Sequence, residues 1–445
     1  MSKMGPKVSG DFPGPLAKKI IERDKKMLVT STKSGPIVAK SAKGAMIEDV
    51  DGNKIIDLFS GVGVHNVGHC HPKVVQAIKD QADKFIHMAG TDFYYDIQVR
   101  LAEKLAQVAP GKNQKKVFFT NSGTESVEAA IKVAKISTKR QTFVGFIGAF
   151  HGRTIGSLGV TASKTVHREG FFPFMPGVYH IPYAYCYRCR YKLEYPSCGL
   201  WCAKILDEVY FDTFVPPADV AAIISEPIQG EGGYIVPPKE FHSMMKKTAE
   251  KYGILYIDDE IQAGMGRTGK MWAIEHFGVV PDIITTAKAL GGGIPIGATI
   301  IDAKLDFDRQ GRHSNTFGGN PIGAAAGLAV FDVIEKERLL DRTKRLGQKS
   351  IKRLREMQVD YEIIGDTRGL GLMLAHEFVK DRKTKVPNKE ARDRIVDIAL
   401  SKGLGVIGCG KSSIRYLPPL VIEEDLLETA WDILDESIKI VAKAK

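Results

Sequence analysis

The stretch Ile254-Leu255-Tyr256-Ile257-Asp258-Asp259-Glu260-Ile261-Gln262 begins as an apolar run and then carries three carboxylates. This pattern predicts a buried strand whose carboxyl end opens into a crevice, where α/β proteins bind their ligands. A second short apolar segment, Asp282–Thr286, is followed by Lys288 and then by Gly291-Gly292-Gly293. We expect both segments to end at one edge of the same sheet. Glycines beside an amine allow a planar ligand to approach without obstruction by side chains.

An aspartate and a lysine at one sheet edge are the groups that pyridoxal phosphate (PLP) chemistry requires. The cofactor forms a Schiff base with a lysine, and an aspartate keeps its pyridine nitrogen protonated. We therefore predict that Lys288 and Asp259 are catalytic, as the Schiff-base lysine and the partner of the pyridine nitrogen. Taken alone, either residue is better explained as a solvated lysine or an ordinary acid at a strand end.

Four motifs together resemble those of the class III aminotransferases, which are PLP enzymes of fold type I and include 4-aminobutyrate, ornithine and acetylornithine aminotransferases. The motifs are Asp259-Glu260-Ile261-Gln262, Thr285-Thr286-Ala287-Lys288-Ala289-Leu290-Gly291-Gly292-Gly293, Asn121-Ser122-Gly123-Thr124-Glu125 and Phe150-His151-Gly152-Arg153-Thr154. The resemblance runs from about Gly44 to Val421. It implies an α/β fold, with a large domain on a mainly parallel central sheet and a smaller α+β domain at the C-terminus.

The segment that follows the predicted strand Lys116–Thr120 is suited to binding a phosphate. A turn with glycine opens a predicted helix that runs through Lys135, and backbone N–H groups at such a helix start attract anions. An N-cap formed by Ser122 or Thr124 is the alternative, and the two interpretations are compatible.

The resemblance extends the cofactor site to other positions. It implies that Phe150 stacks on the pyridine ring, although core packing also explains an aromatic residue there. It implies that Thr316 reaches the phosphate of the other subunit, and hence a homodimer or a higher homo-oligomer. The cofactor-binding residues predicted in this way are Ser122, Gly123, Thr124, Phe150, His151, Asp259, Ile261, Gln262, Lys288 and Thr316.

The same resemblance implies the residues that bind substrate. Val62 is expected near the substrate, and Arg153 is expected to bind the distal carboxylate. Glu226 and Glu231 lie in the loop after the predicted strand Val220–Ile224. We expect Glu226 to pair with Arg415 and to release it when a dicarboxylate binds; a permanent structural salt bridge is the alternative.

Length and composition limit the classes of function. With 445 residues, the chain exceeds the size of a single hydrophobic core. We predict an N-terminal arm and hairpin at 1–64 that packs with the small domain, a large domain at 65–330 and a small domain at 331–445. We also predict a helix over Ile322–Glu335 and, within the small domain, one strand over Gly369–Phe378. The net charge of +11 is scattered, so we predict no nucleic-acid partner. No apolar stretch approaches a membrane span, and residues 1–15 lack the apolar core of a signal peptide, so we expect no membrane partner and a cytoplasmic protein.

Two groups of possible metal ligands are ambiguous. Cys186, Cys189, Cys198 and Cys202 have a spacing that permits a zinc site, an iron–sulfur cluster, two disulfides or free thiols, and the sequence does not decide between them. His69 and His71 precede a predicted helix, Pro72–Phe85. We favour a structural role for both, because no further ligand beyond Cys70 lies nearby, and we predict no metal at the active site.

The sequence therefore predicts a PLP-dependent aminotransferase. The expected substrates are an ω-amino acid of the 4-aminobutyrate type, or another amino acid, and a 2-oxo acid such as 2-oxoglutarate. An amino-acid racemase or epimerase on the same fold is the first alternative, and a non-catalytic metal- or nucleic-acid-binding protein is a distant one. The sequence does not identify the amino donor.

Overall fold

The computed structural model describes residues 5–443. Its strands are β1 (Ala39–Lys43), β2 (Met46–Asp49), β3 (Lys54–Asp57), β4 (Lys115–Thr120), β5 (Thr142–Ile147), β6 (Val178–Pro182), β7 (Val220–Ser225), β8 (Leu255–Asp259), β9 (Ile283–Thr286), β10 (Gly297–Asp302), β11 (Ile364–Leu370), β12 (Met373–Phe378), β13 (Leu404–Gly405), β14 (Ile407–Cys409) and β15 (Ser413–Tyr416). Its α-helices are α1 (Pro15–Met27), α2 (Ser60–Gly63), α3 (Pro72–Ala82), α4 (Asp96–Val108), α5 (Gly123–Thr138), α6 (Ile155–Val160), α7 (Trp201–Ile205), α8 (Phe211–Thr213), α9 (Phe241–Lys251), α10 (Pro321–Lys336), α11 (Leu339–Asp360), α12 (Lys389–Ser401) and α13 (Glu424–Lys443).

The central sheet has seven strands in the order β4-β10-β9-β8-β7-β5-β6. The pairs from β9 to β6 are parallel, whereas β10 runs antiparallel to both of its neighbours. The carboxyl ends of β4, β5, β7, β8 and β9 therefore meet at one edge. This is the arrangement predicted for the strands that end at Asp259 and Thr286, and it confirms the α/β class.

Helices cover both faces of this sheet, which explains why its strands read as continuous apolar runs. On one face Ile257 and Ile283 pack against Val127 and Ile131 of α5. On the other face the neighbouring residues Tyr256 and Ile284 belong to a larger core. Because successive side chains of a strand point to opposite faces, a strand buried on both sides needs apolar residues at every position.

The C-terminal part contains a second, antiparallel sheet with the order β11-β12-β15-β14. The sequence predicted one strand over Gly369–Phe378, and this prediction is wrong. The chain instead forms a hairpin in which Leu370 pairs with Met373. Gly371 makes this tight turn with a φ of +56°, a conformation that costs glycine little because it has no Cβ.

A third sheet joins the two ends of the chain. Its order is β1-β2-β3-β13, and the predicted hairpin of β2 and β3 is confirmed. On β3, Ile56 pairs in parallel with Leu404 of β13. This pairing supports the proposed division, in which residues 1–64 pack with the small domain. None of the helices within residues 5–443 has the length and apolarity needed to cross a bilayer.

Candidate active site

A cavity of about 430 Å³ opens at the carboxyl edge of the central sheet. It brings together residues from six separate segments of the sequence, which the strand ends deliver to one place. The predicted site residues that line it are Ser122, Gly123, Thr124, Phe150, His151, Arg153, Glu226, Glu231, Asp259, Ile261, Gln262 and Lys288.

Lys288 lies two residues after β9, at the start of a short turn, with a φ of +44°. Its amine is buried, and burial together with the nearby positive charge of Arg415 lowers the pKa of Lys288 to about 8. Burial disfavours the charged form of an amine, so a neutral fraction exists near physiological pH. Lys288 is therefore suited to act as a nucleophile and as a base.

Asp259 is the last residue of β8 and is held in place by His151. The Nδ1 of His151 lies 2.6 Å from Oδ2 of Asp259, and Oδ1 of Asp259 accepts the backbone N–H of Ile261. Burial alone lowers the pKa of His151, but the hydrogen bond and the negative charge of Asp259 outweigh burial and raise it. The pair thus keeps a carboxylate with a fixed orientation in the cavity wall.

The start of α5 forms a second wall. Ser122 caps this 16-residue helix, and its hydroxyl accepts the N–H of Glu125 at 3.4 Å. Gly123 lies so close to Ile261 that a Cβ at this position would be 2.8 Å from the Cδ1 of Ile261. The helix start therefore presents backbone N–H groups with no side chain at Gly123, as an anion site requires.

Arg415 is almost fully buried and pairs with Glu231, which lines the cavity. Its Nη2 lies 3.1 Å from Oε2 of Glu231. Among the residues described, Nε and Nη1 of Arg415 have no hydrogen-bond partner. Burial would raise the pKa of Glu231, but the charges of Arg415 and Lys164 outweigh it and lower this pKa.

The predicted pair between Glu226 and Arg415 is wrong. Glu226 instead accepts the backbone N–H groups of Phe150 at 2.9 Å and Gly230 at 2.8 Å. Burial raises the pKa of Glu226 to about 7. The turn after Glu226 is closed by the hydrogen bond between Gly230 and the Glu226 carboxylate. This turn places Glu231, rather than Glu226, beside Arg415.

Phe150 and Arg153 form the outer part of the cavity. The guanidinium of Arg153 is 5.5 Å from the ring centroid of Phe150, and Arg153 is exposed. The ring of Phe150 also meets His167 edge-on, at 5.6 Å between centroids. An exposed guanidinium at a cavity mouth can contact the carboxylate of an entering molecule.

Three predicted residues lie outside the cavity lining. Arg415 is connected to it through its ion pair with Glu231, which does line the cavity. Val62 is 38% exposed, and Val64 lines the cavity instead. Thr316 is exposed on the surface of this single chain. Further lining residues were not predicted as site residues. Asn121, Gly152, Ala287 and Gly293 lie within the quoted motifs, and Ile294, Pro295 and Ile296 directly follow one, so that extending it by three residues would have found them.

The other possible metal ligands lie elsewhere. Cys186, Cys189, Cys198 and Cys202 line a separate small cavity and are free thiols in this structure. Within residues 5–443, no cluster of histidine, cysteine or acidic side chains is arranged to hold a metal ion. His69 bonds to Asp57 at 2.7 Å and His71 accepts the N–H of Lys73 at the start of α3, so both have structural partners.

The residues of the cavity fit PLP. They combine a buried amine, a fixed carboxylate and a helix start, which are the partners of the aldehyde, the pyridine nitrogen and the phosphate. Nε2 of His151 and Oε1 of Gln262 are buried without a partner among the described residues, although buried polar atoms are usually bonded. These two atoms are therefore available to a polar ligand in the cavity.

Comparisons with known proteins give a consistent result. A family model described as aminotransferase class-III matches residues 29–438. A probable 4-aminobutyrate aminotransferase of Bacillus subtilis is 40% identical over 90% of this chain and 93% of its own length. A leucine/methionine racemase of Thermococcus litoralis is 40% identical over 96% of each chain. The ω-transaminase of Pseudomonas jessenii in complex with PMP superposes with a TM-score of 0.89 and 26% identity, covering 95% of this chain and 98% of that one.

Proposed function

The chain belongs to the class III aminotransferases, a PLP-dependent family, and on this basis we propose that it transfers an amino group from an ω-amino acid of the 4-aminobutyrate type to a 2-oxo acid such as 2-oxoglutarate. The cofactor, when bound, supplies an electron sink for the bond that breaks at the carbon bearing the amino group.

The observation that carries this proposal is the state of Arg415. It is buried, two of its guanidinium nitrogens (Nε and Nη1) have no partner among the described residues, and its one ion-pair partner there is a side chain that lines the cavity. An unsatisfied buried guanidinium is costly unless a ligand completes its hydrogen bonds. A substrate carboxylate would complete them in the planar, bidentate geometry that arginine favours.

Arg153 and Arg415 together distinguish two kinds of substrate. A dicarboxylate such as 2-oxoglutarate needs two cationic groups, and these two arginines supply them. An ω-amino acid has one carboxylate, for which Arg153 is sufficient. Glu231 then neutralises Arg415, so that no buried charge is left unpaired.

The remaining residues hold and move protons. Lys288 Nζ, whose pKa is about 8, takes the proton from the substrate carbon and returns it at a neighbouring atom. Asp259 holds a negative charge at the base of the cavity, and His151 fixes its orientation. Glu226, bonded to the backbone on both sides, shapes the loop that carries Glu231.

We propose a homodimer as the working form. Thr316 and Phe317 are exposed in the single chain, and apolar side chains from 85–94 are exposed beside them. The rings of His87 and Phe317 contact each other at 4.8 Å, which joins the two segments into one surface. A second copy on this surface would bring its Thr316 to the cofactor phosphate.

The T. litoralis relative makes racemisation the second candidate, because it is as similar to this chain as the B. subtilis aminotransferase. The two reactions differ in their products. Purified enzyme would be mixed with a panel of ω- and α-amino acids, with and without 2-oxoglutarate. We expect glutamate and a keto or semialdehyde product; inversion of an α-amino acid with no keto product would replace aminotransfer by racemisation.

A further inference from the structure

Glu231 has two cationic partners, and the second one has no place in the function described above. Oε2 of Glu231 bonds to Arg415, while Oε1 lies 2.5 Å from Nζ of Lys164. The exposure of the side chains rises outward along this row, from 7% for Arg415 through 18% for Glu231 to 36% for Lys164. The carboxylate thus has one partner inside the site and one towards solvent.

The outer partner, Lys164, lies beside a cavity. Lys164 lines a second cavity of about 580 Å³, whose walls include Arg168, Arg188 and Lys411. The backbone of Glu231 is fixed, because its carbonyl accepts the N–H of Gly410 at 2.9 Å. Because Oε1 of Glu231 already contacts Lys164, the side chain can lose Arg415 and still keep a cationic partner.

We propose that Lys164 is a specificity-determining residue: it retains the carboxylate of Glu231 when a dicarboxylate takes Arg415. A half-buried carboxylate that lost Arg415 without another partner would oppose the binding of the dicarboxylate. With Lys164 present, Arg415 exchanges Glu231 for the substrate carboxylate, and Glu231 keeps its ion pair with Lys164. This inference rests on the proposed function, since it concerns the same carboxylate subsite.

The expected effect of Lys164→Met follows from this exchange. Glu231 would lose its outer partner and remain bound to Arg415, so that 2-oxoglutarate competes less well. We expect its KM in the acceptor half-reaction to rise about tenfold, which is the size of one partly desolvated ion pair. The half-reaction with an ω-amino donor should change less than about twofold, because it leaves the Glu231–Arg415 pair in place. Lys164→Arg should restore most of the loss.

The first measurement follows each half-reaction separately, by the change in cofactor absorbance as the amino group is taken up and given away. Lys411→Met is the matched control, because Lys411 lines the same outer cavity but forms no ion pair among the described residues. Equal losses in the two half-reactions for Lys164→Met would overturn the proposal. So would the same loss for Lys411→Met.

The second measurement does not depend on turnover. Glutarate, an unreactive five-carbon dicarboxylate, is titrated against cofactor-loaded protein by calorimetry. We expect binding to weaken about tenfold in Lys164→Met, and the effect of Lys164→Met to vanish when Glu231→Gln is also present. An unchanged glutarate affinity, or a full effect in the Glu231→Gln background, would refute the role of Lys164. If aminotransfer itself fails, the absorbance of the parent protein responds to no donor, whereas the titration still decides the role of Lys164.

Discussion

At the scale of single residues, the cavity shows how burial converts ordinary side chains into reactive ones. Lys288 differs from the solvated lysines of this chain because it has been removed from water beside Arg415, and this lowers its pKa to about 8. Asp259 differs from the acids around it because His151 fixes one oxygen and the Ile261 N–H the other.

Lys288→Ala tests the amine directly. We expect the variant to fold, because alanine removes a buried amine and needs no new partner, but to lose the visible absorbance of lysine-bound cofactor. Turnover should fall by at least about a thousandfold, because nucleophile and base are lost together. Absorbance spectra and steady-state rates measure both effects. Activity near the parent level would exclude Lys288 from catalysis.

Asp259→Asn tests the negative charge of Asp259 while the shape of the side chain stays nearly the same. The amide occupies nearly the same volume but does not favour the protonated pyridine nitrogen, so we expect cofactor to bind and proton abstraction to slow by about a hundredfold. Single-turnover absorbance on saturating donor gives this rate. An unchanged rate would mean that another group holds the nitrogen.

Arg415→Lys tests the carboxylate subsite. An ammonium group cannot reproduce the planar pair of hydrogen bonds, so the KM for 2-oxoglutarate should rise by about ten- to a hundredfold. The ω-amino donor half-reaction should be affected less, whereas Arg153→Lys should impair both half-reactions. The absorbance change in each half-reaction reports these effects. Equal losses in both for Arg415→Lys would contradict the assignment of two arginines to two kinds of substrate.

The sequence identified Lys288 and Asp259 but not the partner of Arg415, and the difference has a physical reason. Lys288 and Asp259 lie at or just after strand ends, and the apolar pattern of a strand fixes where it ends. The choice between Glu226 and Glu231 as partner of Arg415 depends on the direction of a turn, which the bridge between Gln229 and Ile235 sets. Lys164 lies on a loop without a periodic pattern, so its contact with Glu231 follows only from the fold.

At the scale of the elements, the end of β8 concentrates acids in the core. Asp258, Asp259 and Glu260 are consecutive and all buried. Burial and the neighbouring carboxylates raise the pKa of Asp258 well above its ordinary value, and burial raises the pKa of Glu260 to about 8. Glu260 accepts the N–H of Ile274 at 2.7 Å, and this hydrogen bond favours the charged form of Glu260. Asp258 is therefore the carboxyl group of the two that stays protonated more readily.

These raised pKa values predict how stability depends on pH. Between the ordinary values and the raised ones, Asp258 and Glu260 bind more protons in the folded chain than in the unfolded chain, so these two groups make stability fall as pH rises from about 4 to about 8. Asp258→Asn should behave like the protonated acid and lessen this loss. We expect its melting temperature to exceed that of the parent by several degrees at about pH 9 and by little at about pH 6.

Thermal unfolding of both proteins over this range, with Asp432→Asn as an exposed control, measures the difference. Asp432 is 73% exposed, so its replacement should leave the slope unchanged. A difference between Asp258→Asn and the parent that does not grow with pH would show that Asp258 is charged in the folded state.

Among the elements, strands and helices with a clear period were predicted within a few residues, as for β7, α5 and α10. The hairpin of β11 and β12 was not, because its turn, Gly371-Leu372, has an apolar second residue and interrupts no apolar pattern. Gly369 and Gly371 both have a positive φ in this hairpin, but glycines within a strand pattern have several explanations.

At the scale of the whole molecule, one chain leaves an apolar surface uncovered. Tyr94 is 96% exposed, and Ile86, Met88, Phe93 and Phe317 are each more than half exposed. Contiguous apolar surface of this kind marks interaction sites in soluble proteins. A second copy of the chain is the occupant that the proposed role of Thr316 requires.

Tyr94→Asp should therefore weaken the proposed dimer and reduce activity together, by at least about tenfold, because a charge in an apolar interface is costly. Sedimentation at several protein concentrations and rate measurements on the same samples test this. Val359→Asp, at a position 78% exposed on α11, is the control and should leave both unchanged. A fully active monomer would refute the dimer as the working form.

The pairing of β3 with β13 has a consequence for how the chain folds during its synthesis on the ribosome. Ile56 is made early and Leu404 late, so the hairpin of β2 and β3 emerges long before its parallel partner exists. Until then one edge of this hairpin offers unpaired backbone groups, which is a hazard for aggregation. Completion of the sheet that contains β1, β2 and β3 thus waits for the last part of the chain, and a polypeptide that ends before 404 would carry an open edge next to Ile55 and Ile56.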